Sequence, residues 1–327
     1  MLKCLDIIYL YKTMEEKGTW IEETIDKIIK TFPDKKMYTL AAGISPSGVV
    51  HFGNFRDVMT CYPLLEEMRK RGMPVKLLFS WDDYDRFRKV PVGVPESFSQ
   101  YIGMPLSQIP SPTGGKESYA EHFQKDFEEA MEILGIELEY HYQTSEYQSG
   151  RYDELMLHAI EKRKEIARIL LSLMSDKAKK EKGIDPKKYE EEFYPIAVYS
   201  TFTKTDNTKV LSCDGYNITY YCMDTKQEET IDFRETKNVK LQWKIDWPMR
   251  WKIEGVVFER GGHDHASPGG SYDASSRIAR EIFNIEPPVF VGYDFIGIRG
   301  LKGKMSSSTG LVISPRELLN IYQPEIL

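Results

Sequence analysis

The chain has 327 residues, 41% hydrophobic and 29% charged, which suits one large α/β domain with an insert, or two domains. Its net charge of -6 excludes a polycation that grips nucleic acid non-specifically, so any RNA contact must come from a local basic face. The four cysteines, Cys4, Cys61, Cys213 and Cys222, contain no CxxC pair and exclude a disulfide framework; they read as reduced thiols of a cytoplasmic protein.

In chain order, the apolar opening Met1–Leu10 is interrupted by Asp6 and lacks a small-residue cleavage site. It reads as an extra turn or strand, not as a secretory or membrane segment. Ile21, Ile25, Ile28 and Ile29 recur at helical spacing and predict an amphipathic helix from Trp20 to Phe32. A β-like run, Met37–Ala42, leads into a turn rich in breakers, Gly43–Gly48. From about Phe52 to Arg71 the pattern is helical again, and Gly72 ends it. Val75–Ser80 is the next strand, completing a βαβ unit and hence a parallel sheet.

Residues 90–115, rich in Pro and Gly, predict a long surface loop, followed by a helix from Glu117 to Leu134 and a strand from Leu138 to Tyr142. One long helix is expected from about Tyr152 to Met174. The lysine-rich run Lys177–Lys188 fits either a solvated helix end or a phosphate-facing patch for RNA. Tyr, Thr and Asn dominate Pro195–Phe233, predicting an inserted β-rich subdomain. Val256–Phe258, a helix over Tyr272–Phe283 and Val289–Val291 restore the α/β texture, and no internal repeat is present.

Two stretches carry chemistry. Ser45–Asn54 lies between a strand and a helix, where Gly48 and Gly53 permit close backbone approach and a helix N-terminus favours a polyphosphate. His51 and Asn54 can donate hydrogen bonds to phosphate oxygens, although an isolated HxGN also fits a capping turn with a structural histidine. The second stretch, Lys302–Gly310, reads either as a flexible Ser-rich loop or as a mobile cationic loop in which Lys304 neutralises a leaving pyrophosphate. In composition and order the pair resembles the HIGH and KMSKS signatures of class I aminoacyl-tRNA synthetases.

Further blocks resemble the class I lysyl-tRNA synthetases. They are Ala42–Gly48, Ser80–Pro91, Ser118–Phe123, Asp246–Trp251 and Asp264–Asp273, in that family's order, and they span the chain from about residue 20 to its end. The resemblance implies an α/β Rossmann-type parallel sheet with an inserted β-rich subdomain. Residues 1–194 would form the first half of the catalytic domain, 195–240 the insert, and 241–327 the second half with the KMSSS loop. It implies ATP with Mg2+, L-lysine and tRNA(Lys) as substrates and partners, no membrane, a monomer, and no covalent enzyme intermediate. His51, Asn54 and Lys304 would be catalytic. Ser47, Gly53, Asp264, Met305, Ser306 and Ser307 would bind ATP, and no resident metal is expected. Gly43, Ser45, Asp83, Trp243, Trp247, His265, Tyr272 and Asp273 would contact the amino acid.

The residues themselves are compatible with a lysine slot without singling it out, because a long cationic side chain needs apolar walls and a carboxylate or an aromatic face. Each Trp fits core packing equally well, and Asp82, Asp83 and Asp85 fit a loop cluster paired with Arg86 and Arg88. Three departures from the family pattern stand out. The chain stops at Leu327, where relatives continue into a helical anticodon-binding domain, so that domain is expected to be absent. His263 stands where lysine is usual. Cys213 lacks the second cysteine of the CxxC found in some relatives, so a four-ligand zinc knuckle is not expected.

Overall fold

The computed structural model describes residues 18–294, 296, 305, 310 and 312–327. The N-terminal decapeptide and the Lys304, Ser306 and Ser307 positions therefore lie outside the described residues. The first helix, α1 (Trp20–Thr31), starts from a capping box in which Thr19 and Glu22 satisfy each other's backbone N–H groups, and it buries Ile25 and Ile28. Strand β1 (Tyr38–Ile44), helix α2 (Phe52–Lys70) and strand β2 (Val75–Trp81) follow as the βαβ unit. Two short 3-10 turns, Glu96–Tyr101 and Leu106–Gln108, interrupt the long loop. Phe87, Phe98, Leu106 and Ile109 pack under it against Tyr119 and Phe123 in a satellite core.

Helix α3 (Tyr119–Ile133) and strand β3 (Glu139–Tyr142) complete the first half of the sheet. A run of short helices follows: α4 (Gln143–Gln148), α5 (Asp153–Glu161), α6 (Arg163–Leu173), α7 (Asp176–Glu181) and α8 (Pro186–Glu192), of which α5 and α6 send Met156, Ile160, Ile166 and Leu170 into a second core with Val198, Ile218 and Leu241. The single long helix expected over 152–174 is in fact two, α5 and α6, broken at Lys162, where the backbone leaves helical geometry (ψ 11°). The lysine-rich run sits on α7 and α8. There Lys177 pairs with Glu181, Lys179 with Asp176 and Lys188 with Glu192, as neighbours on a helix surface do.

Strands β4 (Ile196–Val198), β5 (Thr208–Asp214), β6 (Asn217–Cys222) and β7 (Gln227–Asp232) come next, then a short helix α9 (Phe233–Thr236) and strand β8 (Val239–Leu241). Strands β5, β6 and β7 form an antiparallel meander, while β4 and β8 pair antiparallel and bracket it. Helix α10 (Trp243–Glu254), strand β9 (Val256–Gly262), helix α11 (His263–Ala266), helix α12 (Ser271–Glu281), strand β10 (Val289–Tyr293) and helix α13 (Pro315–Leu319) close the described chain.

The main sheet has the order β10-β9-β1-β2-β3 and is parallel throughout. Alternation along β1 sends Leu40 and Ala42 into a core shared with α1, α2 and α3. It sends Ala41 to the other face, against Trp247 and Trp251 of α10. Helices therefore cover both faces, as a parallel sheet requires. The chain leaves β1 toward β2 and β3 on one side and returns to β9 and β10 on the other. The switch in direction falls between β1 and β9, and a crevice forms there beyond the carboxyl ends of the strands. No described helix is long and apolar enough to cross a membrane.

Candidate functional site

Two adjoining cavities open at that switch point. The first, about 450 Å³, is lined by the turn and helix start Ser45, Ser47–His51, Gly53 and Asn54, with Arg86, Arg88 and Lys89 opposite and Met305 at its edge. His51 precedes the first turn of α2 in extended geometry, and its N–H donates to the side-chain oxygen of Asn54 at 3.1 Å. Gly53 makes room for the imidazole: a Cβ there would stand 2.9 Å from two ring atoms of His51. The exposed cations on the opposite wall are chemistry that a polyphosphate calls for.

The second cavity, about 280 Å³, lies between α10 and the sheet. Ile44, Asn54 and Tyr293 line both cavities and form the wall they share. One side of the second cavity is a ladder of indoles. Trp243 stacks on Trp247 with ring centroids 4.9 Å apart, and Trp247 meets Trp251 at 5.0 Å. Helix α10 presents all three on one face because they are spaced four residues apart. Pro248 lies inside this helix and cannot donate to the carbonyl of Lys244. The hydroxyl of the buried Ser275 on α12 donates to that carbonyl instead, at 3.0 Å.

The rest of the second cavity is unusually charged for an interior. Arg250 donates to Asp82 at 2.5 Å and to Ser80 at 3.0 Å, and its other nitrogen pairs with Asp246. Tyr147 also donates to Asp246, at 2.5 Å. Outside this cavity, Lys240 pairs at 2.5 Å with Asp85, which lines the first one. Arg260 bridges Asp57 at 3.1 Å and the carbonyl of Gly43 at 3.0 Å, and Tyr293 donates to Asp57. Glu259 takes indole N–H groups from Trp247 at 3.0 Å and Trp251 at 3.3 Å. Among the groups lining this cavity, the carboxyls of Asp57, Asp82, Glu254 and Glu259 face Arg250, Arg260 and His141, so carboxylates exceed cations.

Titration behaviour follows. Burial raises the carboxyls of Asp57 and Asp82 above their ordinary range despite Arg260 and Arg250, and it pushes Glu259 up to about 7. Burial acts on Asp85 in the same direction, but Lys240 outweighs it and holds that carboxyl below its usual value. Among the described residues one cluster, His141, Glu146 and Glu254, has spacing that could hold a metal ion. Arg151 already pairs with both glutamates, at 2.8 and 2.7 Å, so a guanidinium offsets part of the charge of the donor set.

The residues singled out in the sequence distribute unevenly. Ser47, His51, Gly53, Asn54 and Met305 line the first cavity, and so does Ser45, which was expected at the amino acid. Gly43, Trp243, Trp247 and His265 line the second. Tyr272 stands behind the indoles, its ring 5.8 Å from that of Trp251 and its hydroxyl donating to Pro288. Asp273 accepts the N–H of Gly269 at 2.8 Å and braces the turn into α12. Asp264, on α11, lines neither cavity. Asp83 faces a different groove, where it accepts the N–H of Thr144 at 2.7 Å. The aspartates after β2 do not pair with Arg86, which bonds Asp206 at 2.9 Å instead. Sequence reasoning missed Asp57, Arg250, Glu259, Arg260 and Tyr293. The available signal was a Glu-Arg pair directly following the apolar run Val256–Phe258, where side chains on a central strand are buried.

A parallel sheet with a polar crevice at its switch point is the layout of Rossmann-type proteins. The chain matches the family described as tRNA synthetases class I (K) over residues 18–327, and it belongs to that family. It is 40% identical over 315 residues to the lysine–tRNA ligase of Treponema pallidum, covering 96% of this chain and 58% of the relative. It is 41% identical over 308 residues to the lysine–tRNA ligase of Pyrococcus horikoshii, covering 94% of this chain and 57% of the relative. The chain thus spans little more than half the length of these relatives. Among solved structures, a tyrosyl-tRNA synthetase from Archaeoglobus fulgidus aligns with 90% of this chain and 65% of its own, at a TM-score of 0.44 and 16% identity.

Proposed function

We propose that this chain activates L-lysine with ATP, giving lysyl-adenylate, and passes the lysyl group to the 3′ end of tRNA(Lys). The observation that carries the reading is the shared wall. A cavity rich in phosphate-binding groups adjoins a cavity of indoles and excess carboxylate, with Asn54 and Tyr293 between them. A cationic amino acid fits the second cavity because its ammonium groups supply the charge the protein does not. The names of the two relatives support lysine as that amino acid.

In this reading ATP lies in the first cavity. The lysine carboxylate attacks the α-phosphorus, a new oxygen–phosphorus bond forms, and the bond to pyrophosphate breaks. No protein nucleophile takes part, so the chain contributes positioning and charge stabilisation. His51 and Asn54 hold phosphate oxygens, and Lys304 meets the departing pyrophosphate. Ser47, Gly53 and Met305, with Asp264, Ser306 and Ser307, belong to the nucleotide side of this scheme. Gly43, Ser45, Trp243, Trp247 and His265, with Asp83, Tyr272 and Asp273 farther out, belong to the amino-acid side. Magnesium enters on the ATP phosphates as part of the substrate, because Asp85, the carboxylate lining the first cavity, is already held by Lys240. A ribose hydroxyl at the tRNA terminus then attacks the carbonyl carbon, and AMP leaves. The free thiols of Cys61, Cys213 and Cys222 support a reducing, cytoplasmic setting.

ATP–pyrophosphate exchange across the twenty standard amino acids tests the proposal. Lysine should support exchange and the others should not. Exchange with none of them would remove the reading, while exchange without transfer to tRNA(Lys) would confine this chain to the first step.

A further inference from the structure

We infer that Glu259 fixes the indole ladder of the second cavity and selects a positively charged occupant. This rests on the proposed lysine reading for the charge of the occupant, while the fixing of the ladder stands on geometry alone. Glu259 sits in the middle of β9 and is 5% exposed. One of its carboxylate oxygens accepts the N–H groups of both Trp247 and Trp251, at 3.0 and 3.3 Å. Two rings one helical turn apart are thereby tied to a single atom of the sheet. Trp243 stacks on Trp247, 21° from parallel, so the register of the whole ladder follows.

Two indole donors do not require a charge, since an amide oxygen would accept them as well. The carboxylate therefore brings a negative charge beyond what the ladder needs. Its second oxygen has Arg260 at 3.5 Å. That guanidinium is shared with Asp57 at 3.1 Å and with the Gly43 carbonyl at 3.0 Å. One buried cation thus faces two buried carboxylates, an arrangement that is costly until another positive charge arrives. An ammonium in the cavity supplies it, and ring faces whose N–H groups point at an anion are well suited to a cation. The other titratable groups that interact with Glu259 are Cys61 and Asp57 on α2 and Tyr272 on α12, while Arg250 on α10, His265 on α11 and Tyr293 on β10 line the same cavity. With the carboxyl raised to about 7, cation binding at neutral pH should expel a proton from it.

Two variants of the 327-residue chain separate the roles. Glu259→Gln keeps an oxygen for the indoles and removes the charge; Glu259→Leu removes both. The near-UV circular dichroism of the free proteins reports the ladder. Calorimetry with L-lysine at neutral pH, in buffers of different ionisation enthalpy, reports affinity and proton release. For Glu259→Gln we expect an unchanged near-UV spectrum, an unchanged KM for ATP in the exchange assay, at least a tenfold weaker lysine Kd and no proton release. For Glu259→Leu we expect an altered near-UV spectrum as well. Lysine binding by Glu259→Gln as tight as in the unaltered protein would overturn charge selection. A wild-type near-UV spectrum from Glu259→Leu would overturn the fixing of the ladder. No lysine binding by the unaltered protein would overturn the substrate reading and charge selection with it, leaving the spectra to judge the ladder. Should Glu259→Leu fail to fold, Glu259→Ala, which also lacks an acceptor for the indoles, takes its place, and a wild-type near-UV spectrum from it would overturn the fixing of the ladder.

Discussion

Gly43 and Ser80 face each other across β1 and β2 so closely that a Cβ on residue 43 would lie 2.6 Å from the carbonyl oxygen of Ser80. Backbone cannot yield as a flexible side chain does. Gly43→Ala should therefore push the carboxyl ends of β1 and β2 apart, just where Gly43 lines the second cavity. The expected cost is about 1–3 kcal/mol in urea unfolding, with a loss of lysine-dependent exchange. A stable and fully active variant would mean that the strands can part without harm.

Gly53→Ala should act the other way on stability. Residue 53 is in the first turn of α2, where alanine is a better helix former by roughly 1 kcal/mol. Its Cβ would nevertheless meet the imidazole of His51 at 2.9 Å and displace it. A variant at least as stable as the parent in thermal unfolding but slower in exchange is the expected pair of results. Unchanged exchange would detach the His51 ring position from the reaction.

Ser275→Ala leaves the Lys244 carbonyl opposite Pro248 without its donor. Denaturant unfolding should show a loss of about 1–3 kcal/mol, the penalty for an unsatisfied buried acceptor. A loss near zero would mean that another group takes over the carbonyl.

Lys304 lies outside the described residues, yet its proposed charge role makes a kinetic prediction. Lys304→Ala should slow adenylate formation by roughly 10²–10³-fold, the scale of losing one preorganised donor. Single-turnover formation of the adenylate is the measurement, and parent-like rates would remove Lys304 from the scheme.

Glu259 predicts a pH dependence of stability. Burial raises its folded-state carboxyl from the usual 4.5 to about 7. Below the unfolded value both states are protonated and the group costs nothing. Between the two values only the unfolded chain ionises, so stability falls as pH rises, and above about 7 the loss is complete. The melting temperature of Glu259→Gln minus that of the unaltered protein should therefore grow from about pH 5 to about pH 8. Asp57 and Asp82 are present in both proteins and cancel to first order. A difference independent of pH would show that the Glu259 carboxyl titrates as if in water.

Local periodicity made α1, α2 and the first βαβ unit legible, because each needs only one apolar stripe or one alternating run. It failed at Lys162, since an apolar pattern continues across α5 and α6 although the backbone turns there. It failed also for α10, which is buried around much of its circumference and carries Pro248, so it has neither amphipathic contrast nor an uninterrupted helical composition. In the site, the turn from Ser45 to Asn54 was readable because glycines and short polar residues cluster in sequence. Arg250 and Asp82, 168 positions apart, were not, since their pairing exists only after the sheet has formed.

The order of the strands carries a further consequence. Residues 38–142 supply β1, β2 and β3, residues 256–293 supply β9 and β10, and the meander of β5, β6 and β7 lies in the chain between them. A nick at the exposed hairpin tip by Gly215 would yield two polypeptides, with Gly43, His51 and Asp57 in one and Trp247, Glu259 and Arg260 in the other. Neither piece could enclose the second cavity by itself. Fragment complementation would thus be reported by re-formation of that cavity, read through the lysine binding proposed for it.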